Sequence, residues 1–133
     1  MAKELAILTI SNSNEQYGAM RYSFEDSGFT DHLVRYVRLD NRRSNLHDPY
    51  RAITDALHAA TEPYLIYCHQ DVRADRGDGF SDLMDVLDEL TRLHPDWAVT
   101  GNAGCTADWQ IVRRITDMCG KDDKTHPLPQ RVV

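Results

Sequence analysis

Apolar and polar positions fall in blocks along the chain, and the period within each block alternates between that of a strand and that of a helix. Leu5-Ala6-Ile7-Leu8-Thr9-Ile10 is a continuous, largely apolar run, which predicts a strand buried on both faces. The polar cluster Ser11-Asn12-Ser13-Asn14 suits a turn and a helix N-cap. Tyr17, Met20 and Phe24 then recur at helical spacing, and Gly28 stands where a left-handed residue closes a helix. Leu33 to Leu39 predicts a second strand ending at Asp40-Asn41. Asp48-Pro49 supplies a cap and a proline at the first helical position, with Tyr50, Ile53, Leu57 and Ala60 as the expected buried stripe. Glu62-Pro63 ends that pattern, and Tyr64 to Cys68 predicts a third strand. Phe80, Leu83, Leu87, Leu90 and Leu93 mark an amphipathic helix. Trp97 to Thr100 predicts a further strand, with Gly101 to Gly104 as the turn beyond it.

Strands alternating with helices imply right-handed β-α-β units. The expected fold is therefore α/β, three-layered, with a mostly parallel sheet and helices on both faces. Residues 1–120 make up the expected α/β domain, and 121–133 an irregular, charged tail containing Pro127 and Pro129. The closing Arg131-Val132-Val133 reads as the start of a strand. In parallel sheets, ligands bind beyond the carboxyl ends of the strands. Here those ends carry Ser11-Asn12, Asp40-Asn41 and His69-Gln70-Asp71.

Composition narrows the function classes. A net charge of −6 argues against general affinity for nucleic acid. Within this acidic chain Arg35, Arg38, Arg42, Arg43 and Arg51 cluster, a pattern able to receive a small phosphorylated ligand. No apolar run approaches the roughly 20 residues of a transmembrane helix. The N-terminus leads directly into the first strand, so the expected location is cytoplasmic. Cys68, Cys105 and Cys119 lack Cys-x-x-Cys spacing, which argues against a structural zinc site or a disulfide framework and for inert thiols.

The candidate chemistry lies in His69-Gln70-Asp71. A carboxylate at a strand end can hold Mg²⁺ or Mn²⁺ with positions left for phosphate oxygens and water. Imidazole suits Mn²⁺ better than Mg²⁺. The same residues also fit plain structural roles, Asp71 as a turn cap and His69 as a backbone partner. Asp40-Asn41 likewise suits an ordinary turn, and Ser11 to Asn14 an ordinary helix start.

The segment from Ala59 through Tyr64-Leu65-Ile66-Tyr67-Cys68 to His69-Gln70-Asp71-Val72 resembles the helix, strand and Asp-x-Asp motif of GT-A glycosyltransferases. The His-Gln-Asp-Val form is similar to a family-two-like bacterial branch related to a streptomycin-biosynthesis protein. Trp97 to Gly104 resembles the strand and turn that follow in that branch. The resemblance implies a Rossmann-like GT-A domain, of which this chain would be the donor-binding half. It implies Asp71, with His69 in place of the family's first Asp, on a divalent Mn or Mg ion that bridges a donor diphosphate. It also implies Ser11, Asn12, Asp40 and Asn41 around the nucleoside of a nucleotide-diphosphate sugar. Sugar transfer by inversion would need a carboxylate base, which the resemblance places after Val133, so the catalytic residue is unknown. The alternative is a non-catalytic domain binding a nucleotide sugar or a protein, and an exposed apolar flank would favour self-association into a homo-oligomer. No Gly-x-x-x-x-Gly-Lys or Gly-x-Gly-x-x-Gly motif points to another nucleotide fold.

Overall fold

Strand Leu5–Ser11 lies in the middle of the sheet because its residues alternate between two faces that are both covered. The computed structural model describes residues 2–75 and 79–100, together with the backbone of two short strands at 103–105 and 111–113. In chain order the elements are β1 (Leu5–Ser11), α1 (Asn14–Asp26), β2 (Val34–Asp40), α2 (Pro49–Ala59), β3 (Tyr64–Tyr67), α3 (Phe80–Leu93), β4 (Ala103–Cys105) and β5 (Ile111–Arg113). The backbone forms two compact units, Met1–Glu89 and Leu90–Val133. The first contains a three-stranded parallel sheet of order β2-β1-β3, and in the second β4 pairs antiparallel with β5. The chain is thus a small α/β protein.

Register fixes which residues share a face. Leu5 pairs with Val34 and Tyr64, and Ile7 with Tyr36 and Ile66. These residues meet Met20 and Phe24 of α1 and Phe29 in one buried cluster, against which Phe80 and Leu83 of α3 also pack. Ala6 and Leu8 point to the opposite face, where Ala52 of α2 is buried. Leu5, Ile7 and Leu8 are essentially inaccessible to water, and each contributes about 1.5–3 kcal/mol by burial.

The ends of α1 follow from local chemistry. The Ser13 side chain accepts from the Gln16 backbone N–H and caps the start. At the other end Gly28 adopts φ +90°. This lets its N–H donate to the Glu25 carbonyl at 3.1 Å and the Phe29 N–H to the Phe24 carbonyl at 3.0 Å. The Phe24 and Phe29 rings then meet edge to face, centroids 5.1 Å apart, tying the helix end into the core. Helix α2 begins as expected, with the Asp48 carboxylate accepting from the Arg51 N–H at 3.0 Å and Pro49 in the first turn. Ahead of β3, the Glu62 carboxylate receives the Arg35 guanidinium of β2 in a two-pronged pair.

Three expectations are corrected here. Trp97 to Thr100 is not a strand. The Trp97 N–H donates to the His94 carbonyl at 3.0 Å and its indole N–H to the Thr91 hydroxyl at 2.9 Å, which bends the chain around the end of α3. Val99 is 91% exposed, and a β-rich sequence without a partner strand has no ladder to join. Ala103 and Gly104, expected in a turn, belong to β4, and residues 101 and 102 lie outside the described residues. The stripe expected on α2 holds at Ile53 and Ala60, which are half-buried, and fails at its other two members. Tyr50 is 84% and Leu57 61% exposed, while Ala52 is buried and Ala56 and Ala59 line a cleft against the sheet. Ala52 thus holds the inner position that Tyr50 and Leu57 were expected to share. The expected boundary at residue 120 and the tail beyond it lie outside the described residues. Among the described residues no helix is long and apolar enough to cross a membrane.

Gly28→Ala should cost about 1–2 kcal/mol in chemical denaturation, because a Cβ disfavours the left-handed conformation at that site. The Arg35 pair lowers the Glu62 carboxyl from 4.5 to about 2. A group depressed on folding stabilises above its unfolded value, and the contribution fades as pH falls through the folded one. Glu62→Gln should therefore be roughly 1–2 kcal/mol less stable than the parent at neutral pH. The gap should narrow in denaturation curves taken from pH 4.5 towards pH 2.

Candidate functional site

Three loops converge at the carboxyl edge of the parallel sheet. Ser11 and Asp40 end their strands level with each other, and the Asn41 N–H donates to the Ser11 carbonyl at 2.8 Å. The loop after β3 is fastened to the loop after β1 by Gln70, only 4% exposed. Its Oε1 accepts from the Asn12 and Ser13 N–H groups at 2.9 and 3.0 Å, and its Nε2 donates to Asn12 Oδ1 at 2.5 Å. These bonds bring Ser11, Asn12, Asp40, Asn41 and the His69–Asp71 turn to one edge of the sheet.

The side chains at that edge divide into buried and exposed sets. Ser11 is fully buried; its hydroxyl donates to the Ser13 carbonyl at 3.0 Å and accepts from Arg38 Nη2 at 3.1 Å. Arg38 also donates to Asn14 Oδ1 at 2.8 Å and lies 4.5 Å over the Tyr17 ring. Asn12 is engaged by Gln70. Asn41 closes the following loop, its Oδ1 accepting from the His47 N–H and its Nδ2 donating to the His47 carbonyl and to Asn45 Oδ1.

Asp40 is exposed, and Arg42 embraces it through both its guanidinium and its backbone N–H. Those hydrogen bonds hold the Asp40 carboxyl far below the usual carboxylate range. Asp71 and His69 pair with each other, Oδ1 to Nδ1 at 2.6 Å, with both side chains more than half exposed. The His69 hydrogen bond lowers the Asp71 carboxyl.

The metal-site expectation is corrected by this geometry. A resident divalent ion needs several oxygen or nitrogen donors directed at one point. Among the described residues no three His, Cys, Asp or Glu side chains gather in that way. His69 Nδ1 and Asp71 Oδ1 instead face each other. Cys68 matches its expected core role: it packs against Thr9 and Met20, and burial raises its thiol.

Two features escaped sequence reading. Gln70 is the centre of the His-Gln-Asp motif, yet its importance comes from a partner 58 positions away. The second is a cleft of about 470 Å³ between the sheet and α2. Leu8, Val37, Leu39 and Leu65 form its apolar floor, with His47 and Arg51 on the helix side. Arg35 and Arg51 of the expected arginine cluster line it, whereas Ser11, Asn12, Asp40, Asn41, His69 and Asp71 do not, and His47 joins it to the carboxyl edge through the Asn41 hydrogen bonds.

No protein-family model matches the chain. A curated protein of Fuscovulum blasticum described as "ATP synthase subunits region ORF 6" is 28% identical over 136 residues, covering 96% of this chain and 53% of that protein. The chain thus spans about half the length of the curated relative it matches. These findings overturn the expectation of glycosyltransferase membership. The resemblance rested on one tetrapeptide and on element order, and neither comparison carries it further.

Asn41→Ala should remove the closure of the 41–47 loop. Hydrogen exchange at the His47 amide should accelerate, with a stability loss of about 1–2 kcal/mol. Asp71→Ala should leave stability within about 0.5 kcal/mol of the parent in the same denaturation assay, as expected for an exposed site.

Proposed function

We propose that the carboxyl edge of the parallel sheet binds a nucleoside-diphosphate ligand, free or carrying a further group such as a sugar. The observation that carries this reading is the fastening of all three strand-end loops to one another. Parallel α/β sheets bind ligands at that edge, and a loop set held by buried hydrogen bonds is preorganised for it. The exposed cations favour an anionic ligand. Arg42 stands at the end of β2, and Arg73 follows the His69–Asp71 turn, its guanidinium anchored on the Gln70 and Val72 carbonyls. Guanidinium groups match phosphate geometry. The adjoining cleft offers apolar surface for a base, in the size range of small-molecule sites.

The proposed role is binding without chemistry. The exposed Asp40–Arg42 and His69–Asp71 pairs contribute little to stability and can open to an entering phosphate, which frees Arg42 to contact it.

Titration calorimetry with UDP-, GDP- and dTDP-sugars tests the proposal. Saturable binding by the parent is expected, weakened about tenfold in Arg42→Ala by loss of a charged phosphate contact worth about 1.5 kcal/mol. Absence of heat with every nucleotide, from folded protein, would sink it. The series is run with and without Mn²⁺. A Mn²⁺-dependent gain lost in Asp71→Ala would mark Asp71 as a contact of an ion carried by the diphosphate. Equal affinities would leave Asp71 as the partner of His69 alone.

A further inference from the structure

The loop between β1 and α1 has the form of an oxyanion cradle whose central position is filled from within the protein. The consecutive N–H groups of Asn12 and Ser13 converge on one acceptor atom just before a helix of 13 residues. Successive amides converging on one point just ahead of a helix can hold an anionic oxygen. Here the acceptor is Gln70 Oε1, at 2.9 and 3.0 Å.

The orientation of that amide is fixed chemically. Its Nε2 donates to Asn12 Oδ1, and the reversed amide would turn its hydrogens towards two N–H groups. The Gln70 backbone is held as well, since its carbonyl accepts from Arg73 Nη1 at 3.1 Å. The side chain is a buried polar group with both ends satisfied, sealed 96% from solvent by the loops it joins (4% exposed). A phosphate entering the cradle would have to expel the amide and strand it without partners.

We infer that Gln70 is a specificity-determining plug. It acts as the protein's own neutral ligand for the Asn12 and Ser13 amides, and it keeps phosphate groups out of the start of α1. Any anionic ligand at this edge is then read by the exposed arginines. The positive charge of Arg38, bonded to Ser11 and Asn14 beside the cradle, would favour an anion there once the amide is gone, against Glu15 in the first helical turn. The inference stands independently of nucleotide binding, because it concerns phosphate alone.

The test uses inorganic phosphate as probe and backbone amide shifts of ¹⁵N-labelled protein as readout. In the parent, Asn12 and Ser13 should show no saturable shift. In Gln70→Ala, confirmed folded by thermal melting, both amides should shift saturably. Gln70→Glu keeps an oxygen in the cradle and adds negative charge, so it should again show none. Saturable shifts at Asn12 and Ser13 in the parent would overturn the inference, as would their absence in folded Gln70→Ala. If the alanine variant does not fold, Gln70→Asn takes its place, since its amide is one methylene short of the loop. It is read by the same two outcomes.

Discussion

Strand β1 is hydrogen-bonded along both edges and covered on both faces, and this double constraint organises the first unit. Its odd-numbered residues enter the core beneath α1, and its even-numbered residues face α2. A one-residue slip would exchange the two sets, so the burial of Leu5, Ile7 and Leu8 fixes the register of β2 and β3 as well. Because that register is fixed, Ser11, Asp40 and the turn after β3 arrive at the same edge. The placement of the candidate site is thus a consequence of core packing several residues upstream.

At the edge itself, burial separates framework from surface. Ser11, Asn12, Asn41 and Gln70 spend their polar groups on one another or on loop backbone, where unmade hydrogen bonds would be costly. Asp40–Arg42 and His69–Asp71 are exposed pairs, and such pairs contribute little to stability. A ligand can therefore rearrange the exposed pairs at small cost, while the loops beneath them stay in place. Glu62 shows the opposite case away from the site, a shielded carboxylate whose partner secures β2 to the approach of β3.

Most of the first unit was legible from periodicity. The runs from Leu5, Leu33 and Tyr64 became β1, β2 and β3, and the stripes at Tyr17 and Phe80 became α1 and α3, with boundaries shifted by a residue or two. Capping by Asp48 and closure at Gly28 were readable because both depend on neighbours in sequence. Trp97 to Thr100 misled because strand propensity does not supply a pairing partner. Tyr50 and Leu57 misled on α2 because large apolar residues suggested the inner face, whereas the helix buries Ala52 there. At the site, the sequence marked which residues would cluster but not how they would pair. The partnerships of Gln70 with Asn12 and Arg38 with Ser11 join distant segments, and no local spacing announces them. The glycosyltransferase resemblance failed for a related reason: a four-residue motif records local chemistry, not descent.

The central claim is that the fastened carboxyl edge is where this chain meets a nucleoside diphosphate. Amide chemical-shift mapping of labelled protein during UDP addition tests it most directly. The account predicts saturable shifts concentrated at residues 40–43 and 69–73, extending to His47 where the cleft meets the loop. Shifts confined to residues remote from this edge, or none at saturating UDP, would contradict it.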